Sequence, residues 1–223
     1  MKIVYKYGFP LVNSANIFAV LKSLKLKNWR QVGKPVILND FLKNKKTILG
    51  RDFLKFVPRN EVVSFRSPED DIFRGVRRTT ADGVVVFTLL PGNLVPICAE
   101  FKHGIGQISL NLPGGANFSG ENPSIQAKKE FKQETGIILK KLINLSPAGI
   151  SNDARTCKDR VFYFLGKPIM PLKIADKDLD KNEFLETLLI PLAEWIKLIS
   201  SNKVLDGQSI VATFLALKKN KYF

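Results

Sequence analysis

Apolar residues dominate the stretch from 83 to 101 in two near-continuous runs, GVVVFTLL and LVPICAEF, separated by Pro91, Gly92 and Asn93. Continuous rather than alternating apolar character suits strands buried on both faces. The short turn between the runs predicts that residues 83–90 and 94–101 pair as a hairpin. A glycine-rich bend at 103–106 follows, then a strand over 108–112 with one buried face, stopped by Pro113, Gly114 and Gly115. Residues 116–121 read as a loop. The spacing then becomes that of a helix over 124–135, with Gly136 as its stop and Ile125, Ala127, Phe131 and the stem of Lys128 on its inner side. Further strands are expected at 141–145 and 161–165. Two helices close the chain at 191–201 and 208–219, with Leu192, Trp195, Ile196 and Ile199 on the first and Ile210, Phe214 and Leu217 on the second as core stripes.

The first 80 residues are less regular. They predict a helix over 16–27 with Ser14 as its N-cap, and short strands at 36–38 and 61–65. The polar stretch at 68–78 reads as a boundary or an entering edge strand. Strands mixed with helices, rather than strictly alternating with them, argue for an α+β class packed in layers. The expected division is an N-terminal extension or small subdomain over 1–80 and a main domain over 81–223. No apolar run reaches the ~20 residues that a membrane-spanning helix needs, and no signal peptide is read at the start.

Composition narrows the chemistry. The chain has 223 residues and is 45% hydrophobic and 25% charged, enough for a real core. Its two cysteines, Cys98 and Cys157, allow at most one bridge, so a reduced, cytoplasmic setting is expected. The single histidine, His103, excludes a zinc site built on two histidines and leaves carboxylates to do any catalytic work. The net charge of +15 is concentrated at the front, where residues 1–80 hold 17 Lys and Arg against 6 Asp and Glu. Such a surface could attract nucleic acid. The blander reading is a solvated lysine-rich surface, since no aromatic–basic RNA motif accompanies it.

On the helix over 124–135, Glu130 and Glu134 stand at i and i+4, so both carboxylates project from one face about a turn apart. Like charges that close repel, and a hard dication between them would remove the repulsion. Gln133 could add a neutral oxygen, while Gly114 and Gly115 let backbone atoms approach the same point. A metal held there could polarise a phosphoryl oxygen and orient a water. Taken alone, the pair reads more readily as solvated helix residues beside Lys128, Lys129 and Lys132.

The complete segment from Gly115 to Ile137 resembles the Nudix box, Gly-x5-Glu-x7-Arg-Glu-apolar-x-Glu-Glu-x-Gly-apolar, and keeps Gly115, Glu121, Glu130, Phe131, Glu134, Gly136 and Ile137. Lys129 replaces the family's Arg and Gln133 the first Glu of its Glu-Glu pair. The resemblance implies an α/β/α sandwich with a mixed central sheet and an extra N-terminal region. It also implies a Mg²⁺ site, with Mn²⁺ as an alternative, on Glu130, Glu134, Gln133 and Gly114, and a loop-to-helix clamp between Glu121 and Lys129.

Flanking segments narrow the resemblance to ADP-ribose and ADP-sugar pyrophosphatases. Residues 100–102 with 109–115 are similar to that branch's Gln-Tyr/Phe-Arg and Leu-Glu-Leu-Pro-Ala-Gly, Asn111 and Gly114 departing from its Glu and Ala. By position Lys102 becomes a phosphate-contacting residue, with Gly114 and Gly115 beside it. The loop from 145 to 153 resembles the branch's Ser-Pro-Gly loop, which makes Asp153 the candidate acid near the reacting water and Asp159 its reserve. Arg155 and Arg160 are candidate diphosphate contacts. The implied activity is hydrolysis of a small nucleoside diphosphate derivative, ADP-ribose or a nucleotide sugar, to a nucleoside monophosphate and a sugar phosphate. An N-terminal segment in that branch often helps build a homodimer. Two alternatives stay open: loss of a carboxylate at 133 allows a catalytically weakened module that binds RNA or protein, and the basic front region would suit an enzyme acting on capped or 5′-triphosphorylated RNA.

Overall fold

The computed structural model describes residues 3–24, 59–66, 72–117, 120–179 and 184–220. The strand expected at 36–38 and the end of the helix expected at 16–27 lie outside the described residues. In chain order the elements are β1 (Val4–Lys6), β2 (Phe9–Leu11), α1 (Ile17–Ser23), β3 (Arg59–Arg66), β4 (Ile72–Thr79), β5 (Asp82–Thr88), β6 (Leu94–Lys102), β7 (Gln107–Asn111), β8 (Gly114–Asn117), α2 (Pro123–Thr135), β9 (Leu139–Asn144), β10 (Val161–Pro168), β11 (Leu185–Pro191), α3 (Leu192–Ser200) and α4 (Gly207–Lys219). They fall into two packing units. One comprises residues 1–28, 81–150 and 160–223, and the other residues 29–80 and 151–159.

The first unit contains two sheets, one in the order β1-β2-β11-β6-β7 and one in the order β8-β5-β10-β9. β5 runs parallel to β10 and antiparallel to β8, while β6 is antiparallel to both β11 and β7. The hairpin expected between 83–90 and 94–101 is therefore overturned. The turn carries the chain from one sheet to the other, closing only an isolated bridge between Leu90 and Leu94. Both runs are buried on both faces, so each finds its ladder partners among strands distant in sequence rather than across its own turn.

Alternation within these strands builds two cores. Val85, Phe87, Tyr163, Leu165, Leu188 and Ile190 face Trp195 and Leu198 of α3 and Ala212, Ala216 and Leu217 of α4. Val84, Val86, Phe164 and Leu189 point to the opposite side, toward Ala127 and Phe131 of α2. Helices on both faces of mixed sheets make the expected α/β/α sandwich. Among the described residues, no helix is long and apolar enough to cross a membrane.

Several helix faces differ from expectation. Ile125, Ile196, Ile210 and Phe214 are exposed. α4 instead buries Leu217 together with Ser209, Ala212, Thr213 and Ala216, small residues whose size lets the helix lie close to its sheet. Ser14 does not cap α1, which starts after Asn16 without a side-chain cap bond. Its amide and hydroxyl donate to the Glu194 carboxylate of α3, and these bonds hold the Glu194 carboxyl below its usual range. The loop expected at 116–121 begins with β8, and β1, β2 and β11 are strands that periodicity did not reveal.

In the second unit β3 and β4 form an antiparallel ladder in which Glu61 faces Arg77, their side chains paired at 2.8 Å. Residues 151–159 join this unit through Arg78, whose N–H donates to the Thr156 carbonyl at 2.6 Å and whose carbonyl accepts from Lys158 at 3.0 Å.

Candidate active site

α2 owes its boundaries to local chemistry. The Asn122 side chain accepts from the Ser124 amide at 2.9 Å, and Pro123 fills the first turn, where its missing N–H has no partner to lose. At the other end Gly136 adopts φ +71° and donates to the Lys132 carbonyl at 2.7 Å. A Cβ there would also lie 2.2 Å from the Ala175 carbonyl oxygen, so glycine is required twice over.

These caps fix the register of one helical face carrying Gln126, Glu130 and Glu134. Glu134 is only 4% exposed. Its Oε2 accepts from the Gly114 amide at 2.8 Å and from the Cys98 thiol at 3.7 Å, while its own carbonyl accepts from Thr187 Oγ1. The Gln126 amide donates to Glu130 Oε1. The Glu130 carboxylate rests against Gly115, where an added Cβ would stand 2.6 Å from its Cδ and Oε2. Gly114 sits as tightly on the other side: its Cβ would meet the Val84 carbonyl oxygen at 2.1 Å. The paired glycines let β8 lie close to β5 while presenting an amide to one carboxylate and an open Cα to the other. Gly114, Gly115, Glu130 and Glu134 thus come together.

Gln133 faces a different neighbour. Its Nε2 donates to the Asp178 carbonyl at 3.2 Å, and its own carbonyl accepts from the Asp178 amide. Glu121 is held through its backbone, since Asn117 both accepts from its amide and donates to its carbonyl; Lys129 is exposed on α2. Asp153 and Arg155 lie in the second unit, where both are exposed and Asp153 accepts from the Arg155 amide and the Thr156 hydroxyl. The Thr156 bond, followed by the Arg155 amide, holds the Asp153 carboxyl below its ordinary range. Asp159 is buried and accepts from the Thr80 amide at 3.2 Å, Arg160 is exposed, and His103 is an exposed turn residue.

Lys102 ends a polar chain on the same face of β6 and β7 as Cys98. Its Nζ pairs with Glu100 Oε1 at 2.5 Å, Asn111 Nδ2 donates to that oxygen at 2.9 Å, and Ser109 Oγ donates to Asn111 Oδ1 at 2.7 Å. Burial pulls the Lys102 ammonium down, but the charge and hydrogen bond of Glu100, with Glu134 and Asp206 beyond, more than offset it and leave the group above its usual value. The Cys98 thiol is pushed well up, first by burial and then by Glu134 and Glu100. It thus remains a neutral donor to Glu134. Sequence reasoning took Cys98 only as a small core residue, and nothing in its spacing marks the contact with Glu134. Gln126 was legible in principle, standing one turn before Glu130.

Among the described residues no cluster of three or more His, Cys, Asp and Glu side chains gathers. The donor set is two hard carboxylates, which suits a cation that takes few protein ligands and completes its shell with water and phosphate oxygens. A cavity of about 440 Å³ lies among Leu90, Asn93, Leu165 and Met170, but no carboxylate lines it.

No family model matches the chain. An ADP-ribose pyrophosphatase of Bacillus subtilis (strain 168) is 26% identical over 137 residues, 61% of this chain and 72% of that protein. A crystal structure of an ADP compounds hydrolase aligns with a TM-score of 0.64 at 19% identity, covering 86% of this chain and 97% of the other.

Proposed function

We infer that this chain, a Nudix-fold enzyme akin to the ADP-ribose pyrophosphatases, is a Mg²⁺-dependent hydrolase of ADP-ribose or a closely related nucleotide sugar. The observation that carries the reading is the convergence of Glu130 and Glu134 with Gly114 and Gly115. Two carboxylates on successive turns, one of them almost fully buried, are costly as a pair unless positive charge joins them. Mg²⁺ or Mn²⁺ bound there supplies polarisation of a phosphoryl oxygen and neutralises charge developing at phosphorus.

The chain's own residues set the geometry. Gly114 N–H and Cys98 fix Glu134, and Gln126 fixes Glu130, so neither carboxylate must search for its rotamer when substrate arrives. Gln133, which bonds Asp178 instead, adds no third carboxylate to the pair, which lowers metal affinity relative to a site with three. Lys102, steadied by Glu100, is the cation we assign to the diphosphate. The roles of Asp153 in activating water and of Arg155 on the diphosphate rest on their loop sequence; a fall in kcat with KM little changed in Asp153→Asn would support the first. The same reading keeps residues 81–223 as the hydrolase domain and gives the N-terminal 80 a part in a homodimer, which sedimentation analysis would test. Two free, buried thiols suit a reducing, cytoplasmic setting.

The test is ADP-ribose turnover with and without Mg²⁺. Wild type should release AMP and ribose 5-phosphate only with the metal, and Glu134→Gln should lose at least about 10³-fold in kcat, about 4 kcal/mol. A Glu134→Gln variant as active as wild type would remove the assignment.

A further inference from the structure

Between β10 and β11 the chain returns along the end of α2, and backbone hydrogen bonds fix its path there. The Ile138 amide donates to the Lys173 carbonyl at 3.1 Å, the Ala175 amide to the Gly136 carbonyl at 2.8 Å and the Asp178 amide to the Gln133 carbonyl at 3.2 Å. Gln133 reinforces the last of these, its Nε2 donating to the Asp178 carbonyl at 3.2 Å. Residues 175–178 are thereby held beside the turn of α2 that carries Glu134. Burial alternates along them: Asp176 and Asp178 are exposed, while Ala175, Lys177 and Leu179 are half-buried. Such alternation is that of an extended segment, in which successive side chains point to opposite sides. The two aspartates face solvent and Lys177 faces the protein.

That inward direction leads to the carboxylate pair. The Cys98 Sγ lies 3.7 Å from Glu134 Oε2, and two ammonium groups act on this thiol against its burial and the carboxylates, Lys177 more strongly than Lys102. The two cations differ in what remains of their charge. Lys102 is paired with Glu100 at 2.5 Å, whereas Lys177 has no ion pair among the described residues. Charge balance gives the position its meaning. One dication cancels Glu130 and Glu134 and leaves nothing for the diphosphate, on which further charge develops as its bond breaks. Two-metal sites meet that need with a second ion. Here position 133 supplies no further carboxylate to hold one, and its amide instead fixes the segment that brings in an ammonium.

We propose that Lys177 takes the place of a second metal ion, its ammonium contacting the diphosphate of the substrate so that the site works with a single dication. The inference rests on the hydrolase reading above and deepens it, making Lys177 a catalytic residue.

Lys177→Gln and Lys177→Arg test it, because two readouts should move in opposite directions. Mn²⁺ binding to the substrate-free protein, followed by the electron paramagnetic resonance of free Mn²⁺, should tighten roughly three- to tenfold in Lys177→Gln, since a repelling charge near Glu134 is gone. Mg²⁺-dependent kcat/KM on ADP-ribose should fall roughly hundredfold in the same variant, the scale of one lost charge contact in a transition state. Lys177→Arg keeps the charge, so it should bind Mn²⁺ within about twofold of wild type and recover kcat/KM to within roughly tenfold. With a non-hydrolysable methylene analogue of ADP-ribose bound, wild type should hold a single Mn²⁺ per chain. A second Mn²⁺ per chain, unchanged Mn²⁺ affinity in Lys177→Gln, or wild-type kcat/KM in that variant overturns the inference and leaves the hydrolase reading intact. A wild-type chain that does not cleave ADP-ribose in Mg²⁺ overturns that reading, and the inference falls with it.

Discussion

Gly115 separates the demands of the site from those of the fold. Its φ is not in the left-handed region, so alanine suits the backbone, and Gly→Ala at such a position can even stabilise by about 0.4–1 kcal/mol. The added Cβ would lie 2.6 Å from Glu130 Cδ and Oε2, so the carboxylate must retreat about 0.8 Å (3.4 − 2.6) to reach ordinary contact. Because the obstacle is the end of a side chain, it yields by moving, and the net stability change should stay under about 1 kcal/mol. A catalytic group displaced by about 1 Å can cost roughly a hundredfold, which is about 2.7 kcal/mol of transition-state stabilisation. Gly114→Ala is the contrasting case. Its Cβ meets the Val84 carbonyl oxygen at 2.1 Å, a backbone atom that moves only with its strand, so stability should fall by about 1–3 kcal/mol. Urea unfolding of both variants beside Mg²⁺-dependent kcat/KM on ADP-ribose reads the two effects separately. A Gly115→Ala protein with wild-type kcat/KM would show that Glu130 does not serve the chemistry from this position. One that unfolds as readily as Gly114→Ala would refute the claim that the side chain absorbs the clash.

Other expectations are simpler. Gly136→Ala combines an unfavourable left-handed residue, about 1–2 kcal/mol, with a clash against the Ala175 carbonyl, so urea unfolding should report a loss of about 2–4 kcal/mol. Ser14→Ala should weaken the protein near pH 7 but not in strong acid. The Glu194 carboxyl is depressed in the folded state, first by the Ser14 hydroxyl, so its contribution is present above the ordinary carboxylate range and fades as pH falls through the lowered value; equal differences from wild type at pH 7 and pH 2 would contradict this. In a Cys157→Ala background, Cys98 should react with a thiol reagent at pH 8 only as fast as the protein unfolds, given its burial and raised pKa. Rapid labelling of the folded protein would show that Cys98 is not packed against Glu134.

The sequence alone determined what depends on near neighbours. The helix carrying Glu130 and Glu134 was legible because periodicity, the Gly136 stop and the i, i+4 spacing all act within a few residues, and the box pattern added the glycines before it. Runs such as 83–90 announced burial on both faces for the same reason. Strand partnership was decided elsewhere. The turn at 91–93 looks like a hairpin turn from either side, yet the strands it joins pair with β8, β10, β11 and β7, because pairing energy is collected across the whole sheet and not at the turn. The same holds for Cys98 against Glu134 and for Ser209 bridging Leu112 to Asp206. Those contacts join residues 36 and 97 positions apart in the chain, distances over which side-chain periodicity carries no information and only the packing of α2 and α4 on opposite faces of the sheets brings the groups together.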